Sequence, residues 1–328
     1  MNKSTYKAGT RHLLFLLAII LVSLAPLMAC ENEAIETAPA GGGKTENVII
    51  VVIDGPRYSE TWGDPTYTLI PQMGRKLREQ GTLFTNFYNM GFTKTNPGHT
   101  AIATGVIQDI ENNGNEIPQY PSLLQLWLQQ TGKPASSAWL VTSKGKLNVL
   151  ANAQHPDWNN KYTPSTNCGE NGKGQGYRND AQTMREIRKV LTTDEPNLMF
   201  INFREPDGSG HAGRWNNYLK GIKDTDAYVA EIWDIIQNSK HYRNNTVLLV
   251  TNDHGRHLNN HLDGFKSHGD DCEGCRHISL FAIGNNVPKN KQVTTTYDQT
   301  DISVTVASML GFEMPYANGE KIKELLPE

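Results

Sequence analysis

The segment Asn47-Val-Ile-Ile-Val-Val-Ile-Asp54 is a run of β-branched residues that ends in a carboxylate. Such a continuous apolar run is typical of a parallel β-strand that is covered on both faces. A second run, Thr246-Val-Leu-Leu-Val-Thr-Asn-Asp-His254, ends in a carboxylate and an imidazole. Because ligands of open α/β sheets bind beyond the carboxyl ends of strands, the two runs predict a polar site at one sheet edge.

Short apolar runs alternate with amphipathic patterns along the rest of the chain. The strand candidates are Val48–Ile53, Ala138–Thr142, Asn197–Phe203, Thr246–Thr251 and Ile278–Ile283. The helix candidates are Ile70–Gln80, Ser122–Thr131, Asn179–Thr192, Lys223–Ser239 and Asp301–Leu310. This alternation predicts an α/β fold, with one domain in which a central, mostly parallel sheet is sandwiched by helices. We interpret residues 148–178, which lack a clear period, as a loop excursion over the site, and a disordered loop is the alternative.

The N-terminal region has the pattern of an export signal followed by a tether. Three basic residues precede the apolar stretch Leu13–Leu27: Lys3, Lys7 and Arg11. The following Leu27-Met-Ala-Cys30 resembles a bacterial lipobox, which implies a signal peptide over residues 1–29 and a lipid on the Cys30 sulfur. Ordinary cleavage near Ala29 is the alternative. Residues 30–46 then form a lipid-anchored tether, and we expect an exported lipoprotein on a cell-envelope membrane, at its periplasmic side or at the cell surface.

Charge and cysteine content narrow the possible partners. The net charge is −3, so no nucleic-acid surface is evident. Besides Cys30, the chain has Cys168, Cys272 and Cys275, an odd number that allows at most one internal disulfide. A Cys272–Cys275 bond or a bond from Cys168 to either of them is favoured in an exported chain. A third metal site at Cys272-Glu-Gly-Cys275 is the alternative.

Further metal-ligand-type residues lie in loops between the predicted elements. Asp207 and His211 share Glu205-Pro-Asp-Gly-Ser-Gly-His211, and His268 lies in Lys266-Ser-His-Gly269. A buried, unpaired aspartate at a strand end is costly without a cation, and carboxylates with imidazoles are zinc ligands. With Asp54, Asp253 and His254, these groups suffice for two metal ions. Thr95, in Thr93-Lys-Thr-Asn-Pro-Gly-His-Thr100, is left as a hydroxyl nucleophile.

In this order, the motifs resemble the alkaline phosphatase superfamily, especially its type I phosphodiesterase or nucleotide pyrophosphatase branch. The matching motifs are Thr95-Asn-Pro-Gly-His99 with Thr104-Gly105, Glu205 to His211, Asp253-His-Gly255 and His268-Gly269. The resemblance runs from Val48 to Leu310 and implies an alkaline phosphatase-like catalytic domain over residues 47–328.

The resemblance implies a two-zinc site and a covalent phospho-threonine on Thr95. The ligands of one zinc ion would be Asp207, His211 and His268. The ligands of the other would be Asp54, Asp253 and His254, with Thr95 bridging toward it. The family also has an asparagine that donates to a phosphoryl oxygen; Asn115 is our assignment, and Asn112 and Asn113 remain candidates.

Lys144-Gly-Lys146 follows the strand candidate Ala138–Thr142, and a solvated turn is its plain interpretation. The segment also resembles phosphonoacetate hydrolases and threonine-using phosphate monoesterases, in which such cations contact a terminal dianionic group. Lys144 and Lys146 are therefore expected to contact a small phosphorylated substrate.

The expected function is hydrolysis of phosphoric esters, most of all phosphate monoesters. The alternatives are a phosphodiesterase or nucleotide pyrophosphatase, a phosphonate (C–P) hydrolase, and a non-enzymatic surface lipoprotein with a vestigial site. Sulfatase activity is disfavoured, because Thr95-Asn-Pro-Gly-His99 lacks the cysteine or serine that sulfatases convert to formylglycine.

Overall fold

The protein is described by a computed structural model over residues 43–327. One sheet runs through this part of the chain, in the order β10-β2-β8-β7-β1-β6-β3-β4-β5, with β9 also paired to β2. The strands are β1 Asn47–Ile53, β2 Gly81–Tyr88, β3 Ala138–Thr142, β4 Ser165–Gly169, β5 Lys173–Gln175, β6 Leu198–Phe203, β7 Thr246–Asn252, β8 His277–Gly284, β9 Lys291–Val293 and β10 Tyr297–Asp298. Most neighbours are parallel, which confirms the predicted fold class.

Helices cover both faces of the sheet. They are α1 Thr95–Thr104, α2 Leu123–Thr131, α3 Asp180–Thr193, α4 Asp207–His211, α5 Trp215–Asn238, α6 Glu273–Arg276 and α7 Thr300–Leu310. Among residues 43–327, none of these helices is both long and apolar enough to cross a membrane.

The central strand β1 shows how the two cores are built. Val48, Ile50 and Val52 belong to the apolar cluster that includes residues of α1, α2 and α7. Ile49 and Val51 point the opposite way, into the cluster that includes residues of α3 and α5. Because strand side chains alternate between faces, a strand with a helix layer on each side must be apolar at every position. The uninterrupted run in the sequence is the direct result.

Some boundaries and directions differ from those that the sequence predicts. Strand β8 is antiparallel to both β7 and β2, so the candidate Ile278–Ile283 is an exception within the mostly parallel sheet that the sequence predicts. An apolar run reports burial on two faces but carries no information on strand direction. The predicted helix Ile70–Gln80 is a π-helical turn, Gln72–Leu77, followed by the 3-10 turn Arg78–Gln80.

The predicted excursion over residues 148–178 takes part in the sheet. It supplies β4, which pairs in parallel with β3, and the short strand β5 beyond it. Its Trp158 is 7% exposed, and the indole Nε1 donates to the Tyr316 hydroxyl at 3.2 Å. At its end, Tyr177 forms a β-bridge with Lys144. The excursion therefore reaches the predicted site at its C-terminal end.

The predicted signal peptide, Cys30 and most of the tether lie outside the described residues. The tether's last part, from Gly43, precedes β1 directly.

Truncating the central strand should measure how much this core contributes. Ile50 is 0% exposed, so Ile50→Ala should lower the free energy of unfolding by about 2–5 kcal/mol through lost burial and a cavity. Urea denaturation gives this value. The same substitution at Ile107, which is 42% exposed, should cost less than about 1 kcal/mol. Equal losses at both positions would contradict the packing described.

Candidate active site

Four adjacent strands deliver charged groups to one edge of the sheet. In spatial order these strands are β3, β6, β1 and β7, all parallel. Lys144 follows β3, Asp207 follows β6, Asp54 follows β1 and Asp253 follows β7. Parallel strands place their carboxyl ends side by side, so residues far apart in sequence become neighbours.

Helix α1 brings Thr95 to the same edge. Thr95 is its first residue and is 2% exposed. A Cβ on Gly98 would lie 2.6 Å from the Asp253 carbonyl oxygen, so only glycine lets the first turn of α1 approach the end of β7 this closely. The Gly98 position of the motif is therefore a packing requirement that sets the distance between Thr95 and the carboxylates.

Asp207, His211 and His268 form one compact group of ligand-type atoms, as predicted. The two Nε2 atoms are 3.0 Å apart and lie 3.3 Å (His211) and 3.4 Å (His268) from Asp207 Oδ1. His268 Nδ1 lies 2.7 Å from the Thr93 carbonyl oxygen, which makes Nδ1 the protonated nitrogen and leaves the Nε2 lone pair for a cation.

The predicted set Asp54, Asp253 and His254 divides into two overlapping groups. One contains Asp54, Asp207 and His254, and the other contains Asp54, His99 and Asp253. His254 Nε2 is 3.3 Å from Asp253 Oδ2 and 3.6 Å from Asp54 Oδ1. His99 Nδ1 lies 3.2 Å from Asp253 Oδ2 as well. Asp54 thus belongs to both groups, and Asp253 Oδ2 lies near both imidazoles at the centre of the site.

Lys144 lies at the centre of this arrangement. Its Nζ is 2.9 Å from Asp54 Oδ2, 2.6 Å from Asp207 Oδ2 and donates to Thr95 Oγ1 at 3.1 Å. Burial favours the neutral amine, but the nearby carboxylates of Asp207, Asp54 and Asp253 outweigh it and raise the pKa of Lys144. Lys144 is therefore an ammonium ion in direct contact with the predicted nucleophile.

The remaining charges are compensated unevenly. Burial opposes ionisation of Asp207, but Lys144 and other nearby donors outweigh it and hold its pKa well below the usual range. For Asp54, burial and the neighbouring Asp253 raise the pKa well above the usual range. Burial also lowers the pKa of His254, which keeps its imidazole neutral and able to act as a ligand. The site therefore holds more negative charge than its own cations neutralise.

Among the buried polar atoms that lack hydrogen-bond partners in the described chain, three lie together at this site: Asp54 Oδ1, Asp253 Oδ2 and His254 Nε2. Unpaired polar atoms in a protein interior are costly, and these three are all electron-pair donors that face one another. The donor set thus fits divalent metal ions held by carboxylates and imidazoles.

Three further residues complete the site and were not predicted as site residues from the sequence: Arg256, Asn202 and His99. Arg256 is 0% exposed, and its Nη1 donates to Asp207 Oδ1. Asn202 Nδ2 donates to Asp54 Oδ2 at 3.2 Å and lies 3.0 Å from His99 Nε2. An asparagine inside the apolar run of β6 was a usable signal for this position. Nothing in the pattern around Arg256 distinguishes it from a surface arginine.

The structure brings Asn112, rather than Asn115, to the start of α1. Asn112 Oδ1 accepts from the Asn96 backbone N–H at 2.9 Å and from Lys146 Nζ at 2.8 Å. Asn115 is exposed, and its backbone N–H donates to Asn113 Oδ1. Lys146 therefore lies beside the N-terminus of α1, while Lys144 lies at the centre of the charged cluster.

The sheet and the polar cluster at its edge are those of the alkaline phosphatase-like superfamily. The chain belongs to the sulfatase family within it, since the family model described as Sulfatase matches residues 46–312.

Two curated relatives act on phosphoric esters by their names. Rat ectonucleotide pyrophosphatase/phosphodiesterase family member 7 is 25% identical over 259 residues, which are 72% of this chain and 55% of the rat protein. The 2,3-bisphosphoglycerate-independent phosphoglycerate mutase of Clostridium novyi is 25% identical over 130 residues, 40% of this chain and 24% of the mutase. The chain thus spans about half of the first relative's length and about a quarter of the second's.

Solved structures share the fold at low identity. Phosphonate monoester hydrolase SpPMH from Silicibacter pomeroyi gives a TM-score of 0.62 at 13% identity, covering 86% of this chain and 76% of the hydrolase. Murine ectonucleotide pyrophosphatase/phosphodiesterase 5 gives a TM-score of 0.60 at 17% identity, covering 86% of this chain and 100% of the murine chain. The PsFucS1 sulfatase from Pseudoalteromonas sp. gives a TM-score of 0.59 at 15% identity, covering 87% of this chain and 70% of the sulfatase. Hydrolases of different esters therefore share this architecture.

Removing the buried guanidinium of Arg256 should destabilise the metal-free protein, because it leaves more of the negative charge at the site without a compensating cation. In metal-free protein, Arg256→Ala should lower the free energy of unfolding by about 3 kcal/mol, because Asp207 loses one of its two buried cations. Arg188→Ala breaks an ion pair whose arginine is 48% exposed, and should cost less than about 1 kcal/mol. Urea denaturation in chelator measures both. An Arg256→Ala loss no larger than the control would contradict the assigned role.

Proposed function

We propose that this chain is a two-zinc hydrolase of phosphoric esters that uses Thr95 as nucleophile, with phosphate monoesters as substrates. The observation that carries the proposal is the contact of Lys144 Nζ with Thr95 Oγ1, Asp54 and Asp207 at once. A hydroxyl, a fixed cation and two carboxylates within one buried cluster are what phosphoryl transfer to a threonine needs.

Asp207, His211 and His268 would hold one zinc ion, and Asp54, Asp253 and His254 would hold the other. The unpartnered atoms of Asp54, Asp253 and His254 support this assignment. When bound, the two ions supply Lewis-acid stabilisation to the attacking and leaving oxygens of an in-line displacement.

Thr95 is held for attack by its own helix. It is the first residue of α1, where the helix dipole favours negative charge. Lys144, which stays protonated, stabilises the oxyanion that forms as the Thr95 hydroxyl loses its proton. Attack forms a bond from Thr95 Oγ1 to phosphorus and breaks the bond to the leaving oxygen, and the proton that Thr95 gives up is balanced by the proton that the leaving oxygen takes up as it departs as an alcohol. Hydrolysis of the phospho-threonine then regenerates the hydroxyl and releases phosphate.

The two lysines favour a dianionic substrate over a diester. Lys146 Nζ donates to the Asn112 carbonyl at 3.0 Å and to its Oδ1 at 2.8 Å, which places a second cation beside the start of α1. Burial and the nearby Lys144 lower the pKa of Lys146 to about 8, so it is largely charged at neutral pH. A terminal phosphoryl group carries the second negative charge that such a cation would contact.

The diesterase alternative rests on a different observation. The rat relative is a pyrophosphatase/phosphodiesterase family member, and the murine phosphodiesterase 5 structure includes an inactive threonine-to-alanine variant in complex with AMP. The inactivity of that variant supports a threonine nucleophile, whether the substrates of this chain are phosphate monoesters or diesters.

We further propose that the chain is exported and anchored by a lipid on Cys30, on the sequence pattern of residues 1–30. Metabolic labelling with a fatty acid should mark the wild type and not Cys30→Ala. Labelling of Cys30→Ala would refute the anchor.

The experiment that tests the proposed function compares four substrates with zinc-loaded protein. Aryl phosphate monoester should be hydrolysed faster than aryl phosphate diester, phosphonoacetate and aryl sulfate. Preference for the diester would support the phosphodiesterase alternative, and preference for phosphonoacetate would support C–P cleavage. If the protein retains no zinc after loading and hydrolyses none of the four substrates, a binding protein with a vestigial site would be supported.

Removing one ligand should remove one metal ion. Asp253→Ala or His254→Ala should lose one of two zinc equivalents and nearly all activity, since three protein ligands per ion leave little redundancy. Elemental analysis of dialysed protein measures the zinc. Asp157→Ala, at an 81% exposed side chain, is the control and should keep both ions. Full turnover of either site variant in zinc-poor buffer would refute the assignment.

Thr95→Ala should keep both metal ions and lose turnover, because only the nucleophilic oxygen disappears. Thr95→Ser keeps a hydroxyl and should retain partial activity. Acid quenching during turnover should trap a phosphorylated enzyme, which peptide mapping places on a residue. Phosphate on any residue other than Thr95 would overturn the nucleophile assignment.

Lys146→Ala tests the substrate class. One charge contact in a partly desolvated cleft contributes roughly 1–3 kcal/mol, so monoester kcat/KM should fall about tenfold to a hundredfold. Diester kcat/KM should change less than about threefold. Lys220→Ala, at a 69% exposed side chain, should change neither. Equal loss on both substrates would show that Lys146 does not discriminate between them.

A further inference from the structure

A second cluster of metal-ligand-type side chains lies outside the proposed active site. It consists of His257, His261, Asp270 and Cys272, whose ligand atoms all lie within 4.8 Å of one another. All four residues come from the long connection between β7 and α6. We refer to them as the loop cluster.

Three residues of the loop cluster surround the carboxylate of the fourth, Asp270. His261 Nε2 lies 2.8 Å from Asp270 Oδ2, and His257 Nε2 lies 3.3 Å from the same oxygen. The Cys272 backbone N–H donates to Asp270 Oδ1 at 3.1 Å, which brings the thiol to the same carboxyl group. Two imidazoles, a carboxylate and a thiol make a complete set of zinc ligands.

His257 provides the independent sign of a missing partner. It is 3% exposed, and its Nδ1 lies 3.0 Å from Asp263 Oδ1 and 3.2 Å from Ser267 Oγ. Its Nε2 is buried and, within residues 43–327, makes no hydrogen bond. A carboxylate at Nδ1 fixes the proton on that nitrogen and turns the Nε2 lone pair toward the cluster.

We propose that the loop cluster is a structural zinc site. Zinc bonds of about 2.0–2.3 Å imply spacings of about 3.3–3.8 Å between ligand atoms in a tetrahedron. Here the imidazole-to-carboxylate spacings are 2.8 Å (His261) and 3.3 Å (His257), and all four ligand atoms lie within 4.8 Å of one another. Four protein ligands close the coordination sphere, as in structural sites. Binding breaks the S–H bond of Cys272, forms a sulfur–zinc bond and releases the proton to solvent.

The position of the cluster indicates what the ion does. Asp270 is two residues from His268, and its carbonyl oxygen accepts from Thr93 Oγ1 at 2.8 Å. Arg256 precedes His257 and contacts Asp207. A metal cross-link here would hold the segment that presents both Arg256 and His268 to the active site. This loop has little regular structure, apart from the 3-10 turn Gly264–Lys266.

Two other arrangements use the same atoms. A disulfide between Cys272 and Cys275 would consume the thiol, although Cys168, Cys272 and Cys275 are all free thiols in the described chain. A protonated His257 between Asp263 and Asp270 would need no metal ion.

Cobalt(II) titration of the full, chelator-stripped chain separates these arrangements. A thiolate ligand gives a sulfur-to-cobalt charge-transfer band in the near ultraviolet, and the six ligands assigned to the active site include no sulfur. The band should appear by the third equivalent of cobalt in the wild type, because the proposed active site takes up two further ions. Cys272→Ser should abolish it, and His261→Ala should weaken the cobalt affinity of the band at least tenfold. Cys168→Ser, which removes a buried cysteine elsewhere, should leave the band unchanged.

Each other result overturns the proposal. Absence of the band with thiols titrating as reduced would mean a metal-free cluster, and a Cys272–Cys275 disulfide by mass spectrometry would mean a covalent loop. A band that survives Cys272→Ser would place the sulfur ligand elsewhere. The band does not depend on catalysis, so it persists even if the proposed hydrolase activity fails, and activity without the band would sink only this proposal.

Discussion

The structure depends on the placement of three buried carboxylates at one edge of a parallel sheet. Asp54, Asp207 and Asp253 are at most 3% exposed, and carboxylates in such surroundings repel one another unless cations lie between them. Lys144 and Arg256 supply part of the compensation, and the unpartnered atoms show that it is incomplete. The same imbalance that makes the metal-free site unfavourable is the physical basis for the divalent ions that we propose for it.

The surrounding fold is organised to hold these charges close together. Strand β1 is apolar on both faces and fixes Asp54 between β6 and β7. Gly98 lets α1 touch the end of β7, and this contact places Thr95 next to Lys144. Neither the Thr95 hydroxyl nor the Lys144 ammonium could approach the carboxylates if the strand ends were staggered or α1 lay further away.

Sequence reasoning was most successful where burial leaves a periodic trace. The central strands and the helices α2, α3 and α7 were predicted within one or two residues, because their apolar patterns are continuous. The edge strands β4, β5, β9 and β10 are short and polar, so no pattern marks them. Asp54 and Asp253 were singled out because a buried aspartate at the end of an apolar strand is costly without a partner, and the full ligand set followed from the resemblance to the superfamily.

The residues that the sequence did not identify, or left among several candidates, depend on tertiary contacts. Arg256 neutralises Asp207 across 49 positions of sequence, and Asn112 reaches Asn96 through a turn whose path the sequence does not specify. The role of Asn115 therefore stays a prediction, while Asn112 has the contacts. His99 lies in the recognised motif, but its contact with Asp253 follows only from how α1 packs on β7.

Membership of the sulfatase family describes the architecture, and the residues at the centre select the chemistry. Phosphonate monoester hydrolase, phosphodiesterase 5 and a sulfatase all share the fold at 13–17% identity. In this chain the centre of the site holds Thr95, together with a lysine, Lys144, that contacts its hydroxyl.

The central claim is that the clustered carboxylates and imidazoles form a two-metal centre. Anomalous diffraction at the zinc absorption edge, from crystals of zinc-loaded protein, tests it most directly. A two-metal centre should give one peak among Asp207, His211 and His268 and another among Asp54, Asp253 and His254. A map without peaks at these positions, with Lys144 still bound between Asp54 and Asp207, would contradict it.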